Sequence, residues 1–390
     1  MKIKDLEIKG VGCIHELRLS FNDDMNILCG PNSIGKTTVI ESVASMFIQG
    51  NPTVKRNVNS ETGSIKARVD VDGTIQEKTI EIKKFTPHEP ETTFSFSHQS
   101  AKVLSMKVGR YFGYSRLDAV PSDRPRELHE LWNETVSGVS FDGVKGWFVN
   151  RYLYSKHEGT LSEQQISNYH LAERCFSIIN SQYSFSRVMG STNDIMVNTP
   201  QGEIYFEYLS SGFKSILFLL FSAIKEIEFR FKEHNLKAEE FDGIFLIDEV
   251  EIHLHPEWQE QIVLILRNTF PKAQFILTTH SPHVIQTAEP NQILALQLDE
   301  SENVVLRTDL RTNKYAFKGW TVEEILYDVM GMKTLRTEMY RQLIKDFGKA
   351  VDDEDVEKAT AIFAELNELL HPRNPQRKLL SFQLAKISEA

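Results

Sequence analysis

Residues Gly30 to Thr38 read GPNSIGKTT: two glycines separated by four residues, then lysine and threonine. In a loop of that composition successive backbone N–H groups turn inward and bind phosphate oxygens at a helix N-terminus. Gly30, Asn32, Ser33, Ile34, Gly35, Lys36, Thr37 and Thr38 are therefore the candidate phosphate ligands. Lys36 would reach the β and γ phosphates of a nucleotide, and the Thr37 hydroxyl would sit on Mg²⁺. A second run, FDGIFLIDEVEIHLHPEWQ, ends an apolar stretch in two adjacent carboxylates, Asp248 and Glu249. Such a pair is costly at the end of a buried strand unless it is solvated or paired. Asp248 is suited to share the Mg²⁺ shell with Thr37, and Glu249 to polarise an attacking water.

The elements around these residues suit the task. The run MNILC leads straight into the glycine loop, and Val39, Ile40, Val43, Met46 and Phe47 follow at helical spacing, so the loop joins a strand to a helix. FDGIFLID and QFILTTH read as buried strands, with a proline-started helix over Pro256 to Phe270 between them. Ile3, Leu6 and Ile8, then Ile14, Leu17 and Leu19, mark two earlier strands, and Asp72-Gly73 turns a hairpin between IKARVDV and IQEKTIEI. Strands alternating with helices predict a largely parallel α/β core. Residues 86–200 are polar and dotted with aromatics, and predict a mainly helical insertion without the sustained heptads of a coiled-coil arm. The nucleotide-binding domain is expected to span 1–320, and a helical segment 321–390. The acids Asp352 to Asp355 fall at a helix start, where they suit the dipole.

The totals exclude several classes. At 390 residues, 41% hydrophobic and 25% charged, the composition is that of an ordinary globular protein. Cys13, Cys29 and Cys175 are too far apart for a paired spacing, against a disulfide framework and in keeping with a reducing cytoplasm. The net charge of -10 disfavours indiscriminate nucleic-acid binding. The first residues lack an apolar signal core, and the apolar run Ile216 to Ala223 is too short to cross a bilayer. A cytoplasmic location without membrane attachment is expected. His253 and His255 could bind zinc with nearby acids, but no third ligand stands at a recognisable spacing.

A phosphate loop, then LSSG at Leu209 to Gly212, then a strand ending in Asp-Glu, then one ending in His280, resembles the motif order of ABC-type ATPases. That resemblance implies a P-loop NTPase of α/β class closing as a head-to-tail homodimer, or higher even-numbered oligomer, around ATP and Mg²⁺. Ser210 and Gly212 would face the γ-phosphate held by the other copy, and His280 the γ-phosphate held by its own, joining Glu249 and Lys36 as catalytic groups. Two positions depart from the usual pattern: Ser33 replaces a loop glycine and Ser211 the second signature glycine, neither change removing a backbone donor. The glutamine that normally follows the first motif is matched either by Gln99 or by the segment around Tyr114, Ser115 and Arg116.

HLHPEWQ resembles soluble ATPase heads of the RecF-like and overcoming-lysogenization-defect kind. Over LIDEVEIHLHPEWQEQIVLILRNTFPKAQFILTTHSPHVI, with FGYSRL upstream and a short helical tail, the chain is similar to the PtuA-type ATPases of bacterial Septu and retron-associated anti-phage defence systems. The resemblance is dense over 209–286, clear over 1–48 and thin across the insertion. It implies a slow, regulatory ATPase that controls a separate small HNH nuclease, PtuB-like, with DNA or retron RNA/DNA reached through the complex. A DNA-repair ATPase of RecF-like type is the alternative. It would use Lys102, Lys107, Arg110, Arg116, Arg124, Arg126 and Arg151 as a phosphate-binding stripe, although such residues are more often a solvated face. A transporter subunit would more commonly show LSGGQ.

Overall fold

The computed structural model describes residues 1–109, 116–124, 126–310, 313–332 and 334–388. They form two compact units, Met1–Gly331 and Met332–Ala390.

In the first unit a six-stranded sheet has the order Val304–Leu306, Ile293–Leu298, Met25–Cys29, Gln274–Thr278, Ile244–Ile247, Val103–Met106. All pairings are parallel except that of the short outer strand Val304–Leu306. Strand residues alternate between two cores. Leu28, Ile244, Leu246 and Ile276 face a cluster shared with Val39, Ile40 and Val43 of the helix Lys36–Ser45. Ile27, Phe245, Ile247, Phe275 and Leu277 face the opposite cluster, built on Phe213, Leu217, Leu220 and Phe221 of the helix Ser211–Arg230. Burial on both faces explains why these strands read as continuous apolar runs.

The helix Lys36–Ser45 is also covered by an antiparallel sheet of Ile14–Ser20, Lys2–Val11, Gly63–Val71 and Thr74–Ile82. A register shift between Ile3 and Asp5 explains an irregularity of the sequence: with one extra residue there, Ile3 and Leu6 both point inward although three positions apart.

Several boundaries differ from expectation. Val103–Met106, within the expected insertion, is a strand of the main sheet, paired with Ile244–Ile247. The rest of 86–200 is not purely helical. The helices Leu128–Ser137, Val144–Tyr154 and Glu163–Ile179 are followed by Ser184–Val188 and Ile195–Thr199, which join Gly202–Tyr205 in a three-stranded antiparallel sheet. Pro256 to Phe270 divides into Pro256–Gln259 and Ile262–Thr269. Residues Ile325, Val329 and Met330, placed by sequence in the tail, pack on Cys29, Ile285 and Ala295 of the first unit.

The insertion is tied to the helix Ser211–Arg230 by buried charge. Arg151, 1% exposed, donates to Glu228 and Asp123, and Arg126 donates to both carboxylate oxygens of Glu226. Ions taken out of water persist only when paired and hydrogen-bonded, so these pairs fix where the insertion docks. The second unit has the helices Glu338–Asp352, Val356–Leu369 and Gln376–Ser388 around Phe347, Ala359, Leu366 and Leu380. Asp355 caps the middle helix, accepting from the Lys358 N–H at 3.0 Å. Among the described residues, no helix is long and apolar enough to cross a membrane.

Candidate active site

The glycine loop leaves Met25–Cys29, whose five residues are all buried, and runs into the first turn of Lys36–Ser45. Gly30 (φ 137°) and Gly35 (φ 100°) adopt conformations that L side chains rarely reach. A Cβ at Gly30 would lie 2.4 Å from the Leu296 carbonyl oxygen, so the chain can pass here only as glycine. Ser33 also has positive φ (60°), which accounts for the glycine more usual at that place. Its backbone conformation costs about 1–2 kcal/mol in a non-glycine residue.

Gly35 provides no side-chain cap, so the helix N-terminus presents open N–H groups beside the loop. Lys36, 5% exposed, donates from Nζ to the carbonyls of Gly30 (3.0 Å) and Pro31 (2.9 Å). Burial pushes its pKa below the ordinary lysine value, opposed chiefly by Cys29, Glu251, Asp248 and Glu249. Residues Cys13, Ser33 to Thr38 and His280 line a hollow of about 180 Å³ over this loop.

The carboxylates are built in from the neighbouring strands. Asp248 follows Ile244–Ile247, and its N–H donates to the Met106 carbonyl at 3.0 Å. The Thr37 hydroxyl lies 3.3 and 3.2 Å from its two oxygens. Thr278 ends the adjacent strand and holds both acids with one hydroxyl. It donates to Asp248 Oδ1 at 2.5 Å and accepts the Glu249 N–H at 2.7 Å. That bond helps to hold Glu249 at φ 47°, which turns the chain sharply after the strand. Glu251 then accepts the Thr279 hydroxyl (2.8 Å) and the His280 N–H, fixing the end of the histidine strand. Burial and the neighbouring Lys36 ammonium lower the His280 pKa from its ordinary value. Lys36, Thr37, Asp248, Glu249 and His280 are thus gathered at the C-terminal ends of parallel strands.

Thr278, Thr279 and Glu251 were not singled out in the sequence. Their only signal was the run TTH and an acid two residues beyond Asp-Glu, neither of which states that strands at 244 and 274 lie side by side.

Ser210 and Gly212 occupy a different setting. Ser210 is exposed and caps Ser211–Arg230, accepting the Phe213 N–H at 3.3 Å. Gly212 is buried, and a Cβ there would lie 3.0 Å from the Trp258 ring and 3.7 Å from the His253 carbonyl oxygen. The HLHPEWQ segment therefore packs on the signature helix. Among the described residues, no group of three or more His, Cys, Asp or Glu side chains is placed to hold a metal, and the zinc reading of His253 and His255 gains no further ligand.

Most of the basic residues named for the alternative, DNA-binding reading have carboxylate partners where the structure describes them. Lys102 pairs with Asp72 and Asp242, Lys107 with Glu41, Arg116 with Asp118, Arg126 with Glu226, and Arg151 is buried against Glu228. These charges were legible in the sequence, but all the partners except Asp118 come from distant segments. Gln99 sits in the short helix Ser97–Lys102, whereas Arg110, Tyr114 and Ser115 lie outside the described residues.

Known families match both halves of this arrangement. A family described as "AAA ATPase domain" matches residues 1–110, and one described as "AAA domain, putative AbiEii toxin, Type IV TA system" matches 148–286. The fold and the phosphate loop define an ATPase of the P-loop class, in keeping with both family descriptions. Among solved structures, the SMC head domain from Thermotoga maritima is 16% identical, covering 79% of this chain and 98% of its own, with a TM-score of 0.45. The Septu protein PtuA of Bacillus thuringiensis is 41% identical over 99% of this chain and 98% of its own length. The "Retron Ec83 probable ATPase" of Escherichia coli is 28% identical over 38% of this chain and 29% of its own. The chain belongs to the Septu PtuA family and is an ATPase of anti-phage defence.

Proposed function

We propose that this chain is a slow, regulatory ATPase subunit that closes head-to-tail with a second copy over two ATP molecules and thereby controls a separate HNH nuclease. The observation that carries the ATPase part is the hydrogen-bonded series Thr37–Asp248–Thr278–Glu249, which joins a phosphate loop to two carboxylates from neighbouring strands. In this reading the loop N–H groups and Lys36 bind the phosphates. Thr37 and Asp248 hold Mg²⁺, a hydroxyl and a carboxylate being hard oxygen donors suited to that ion. The ion, when bound, neutralises charge on the phosphate oxygens.

Glu249 orients the attacking water and accepts its proton as the bond between the γ-phosphorus and ADP breaks. His280, held neutral at pH 7 by its lowered pKa, donates a hydrogen bond to the γ-phosphate. The Ser210 hydroxyl accepts a backbone N–H in its own chain and still has a proton to donate to a γ-phosphate held by a partner copy. Each composite site would then need two chains, which makes assembly depend on ATP.

Family membership supports the defence setting, and the HNH partner is what the sequence's resemblance to PtuA-type ATPases implies. Native mass spectrometry of the tagged chain, expressed from its own locus with neighbouring genes, tests the reading with and without ATP. An assembly holding an even number of copies and a small HNH-type polypeptide is expected. A homodimer alone, forming with ATP and taking up added DNA, would replace this reading with the DNA-repair one.

A further inference from the structure

The chain enters the phosphate loop through Cys29, Gly30 and Pro31, and a series of contacts runs from Cys29 through a later part of the first unit and back to Pro31. Cys29 pairs with Ala295 on the neighbouring parallel strand. The Ala295 carbonyl accepts the Arg307 N–H at 2.8 Å. The Arg307 guanidinium is held on the Asp309 carboxylate at 3.0 and 2.7 Å, and its third nitrogen, Nη1, donates to the Asp328 carbonyl. Asp328 lies in the π-helical turn Ile325–Val329, where the Met330 N–H donates to the Ile325 carbonyl at 3.0 Å. Val329 and Met330 return to the buried cluster that contains Cys29. Gly331 then stands against the loop itself: a Cβ there would lie 3.1 Å from Cγ and 3.6 Å from Cδ of Pro31.

Single π-helical turns inside helical segments recur at functional sites. Here Arg307 takes the Asp328 carbonyl and so fixes where the residues after the turn arrive. What rests on Pro31 is the lysine of the loop, because the carbonyls of Pro31 and Gly30 accept Lys36 Nζ at 2.9 and 3.0 Å. A shift of Pro31 therefore shifts the ammonium that reaches the phosphates. We propose that Arg307 and Gly331 are positioning residues for the phosphate loop. Arg307 fixes the turn at Asp328, Gly331 braces Pro31, and Pro31 sets the Lys36 ammonium. The proposal rests on the reading of GPNSIGKTT as a phosphate site, and it assigns the bracing of that site to residues at the far end of the first unit.

Gly331→Ala adds the one atom that meets Pro31, and Pro31→Ala removes the ring carbons it meets, so the two form a double-mutant cycle. Calorimetry of ADP on the full chain in Mg²⁺ buffer reads the loop. With Pro31 present, Gly331→Ala is expected to weaken ADP binding about three- to tenfold, the loss of part of one hydrogen bond to a charged group. In the Pro31→Ala background the same substitution should change affinity by less than about twofold. Alanine at φ 69° also lowers the melting temperature, and that strain belongs to residue 331 itself, so the fall should be the same in both backgrounds. Arg307→Met keeps the stem, removes the guanidinium and should weaken ADP by a similar factor. Equal affinity losses from Gly331→Ala in both backgrounds would mark a general structural effect and overturn the proposal, as would wild-type affinity in Gly331→Ala or in Arg307→Met. A wild-type chain that binds no ADP, or a Lys36→Ala chain that binds it like wild type, would instead remove the phosphate reading on which the proposal rests.

Discussion

Replacing Thr278 by valine removes one hydroxyl and leaves the side-chain volume almost unchanged. Thr278 is 1% exposed, and its hydroxyl makes two bonds at once, to Asp248 Oδ1 and from the Glu249 N–H. A bond to a charged group is worth about 1.5–3 kcal/mol, and a neutral one about 0.5–1.5 kcal/mol. Valine can replace neither, and water reaches this buried position poorly, so the expected loss of stability is about 2–4 kcal/mol. The catalytic effect follows from Glu249 at φ 47°. Without the bond to its N–H, the residue can relax from the left-handed region and carry its carboxylate away from the water it orients. A displacement of about 1 Å can cost a hundredfold in rate. Turnover should therefore fall roughly 10- to 100-fold, with little change in KM because Lys36 and the loop are untouched. Steady-state phosphate release and thermal melting, compared among wild type, Thr278→Val and Thr278→Ser, provide the assay. Serine keeps the hydroxyl and should recover most of both properties. Turnover and melting like wild type in the valine variant, or a serine variant equally impaired, would refute the reasoning.

Lys36→Ala should abolish nucleotide binding or turnover in a filter-binding and phosphate-release pair of assays. Glu249→Gln should retain ATP binding and slow hydrolysis about a hundredfold or more; unchanged turnover would remove Glu249 from the water-activating role. Because the folded pKa of His280 lies below the unfolded value of about 6.5, its neutral form is favoured by the fold. Stability linked to His280 is accordingly full above that unfolded value and is lost as pH falls through it toward the folded pKa. Chemical denaturation from pH 7.5 to 5.5 should show a flatter decline in His280→Gln than in wild type, and identical slopes would contradict the assignment. Arg151→Met leaves Glu228 buried without its partner and should destabilise the chain by about 3–5 kcal/mol. The double variant Arg151→Met/Glu228→Met should recover most of that loss.

Chemistry written into contiguous residues was legible from the sequence by itself. GPNSIGKTT joins a strand to a helix because its glycines take conformations other residues avoid, and FDGIFLIDE is an apolar strand ending in acids because both faces of its sheet are covered. The doubly covered parallel core follows from the same local rules of period and turn. What depended on long-range pairing was not legible. Val103–Met106 looks polar in context, yet it joins the main sheet through hydrogen bonds to Ile244–Ile247, a pairing that no local pattern encodes. Arg126 and Arg151 read as surface charge because their partners, Glu226 and Glu228, lie far along the chain. Thr278 and Glu251 acquire meaning only when the strands ending at Ile247 and Thr278 lie side by side, so that one hydroxyl spans two carboxylate-bearing residues. Local sequence specifies which groups are available and how the backbone bends beneath them. Tertiary structure decides which groups come within the roughly 3 Å at which a hydrogen bond acts.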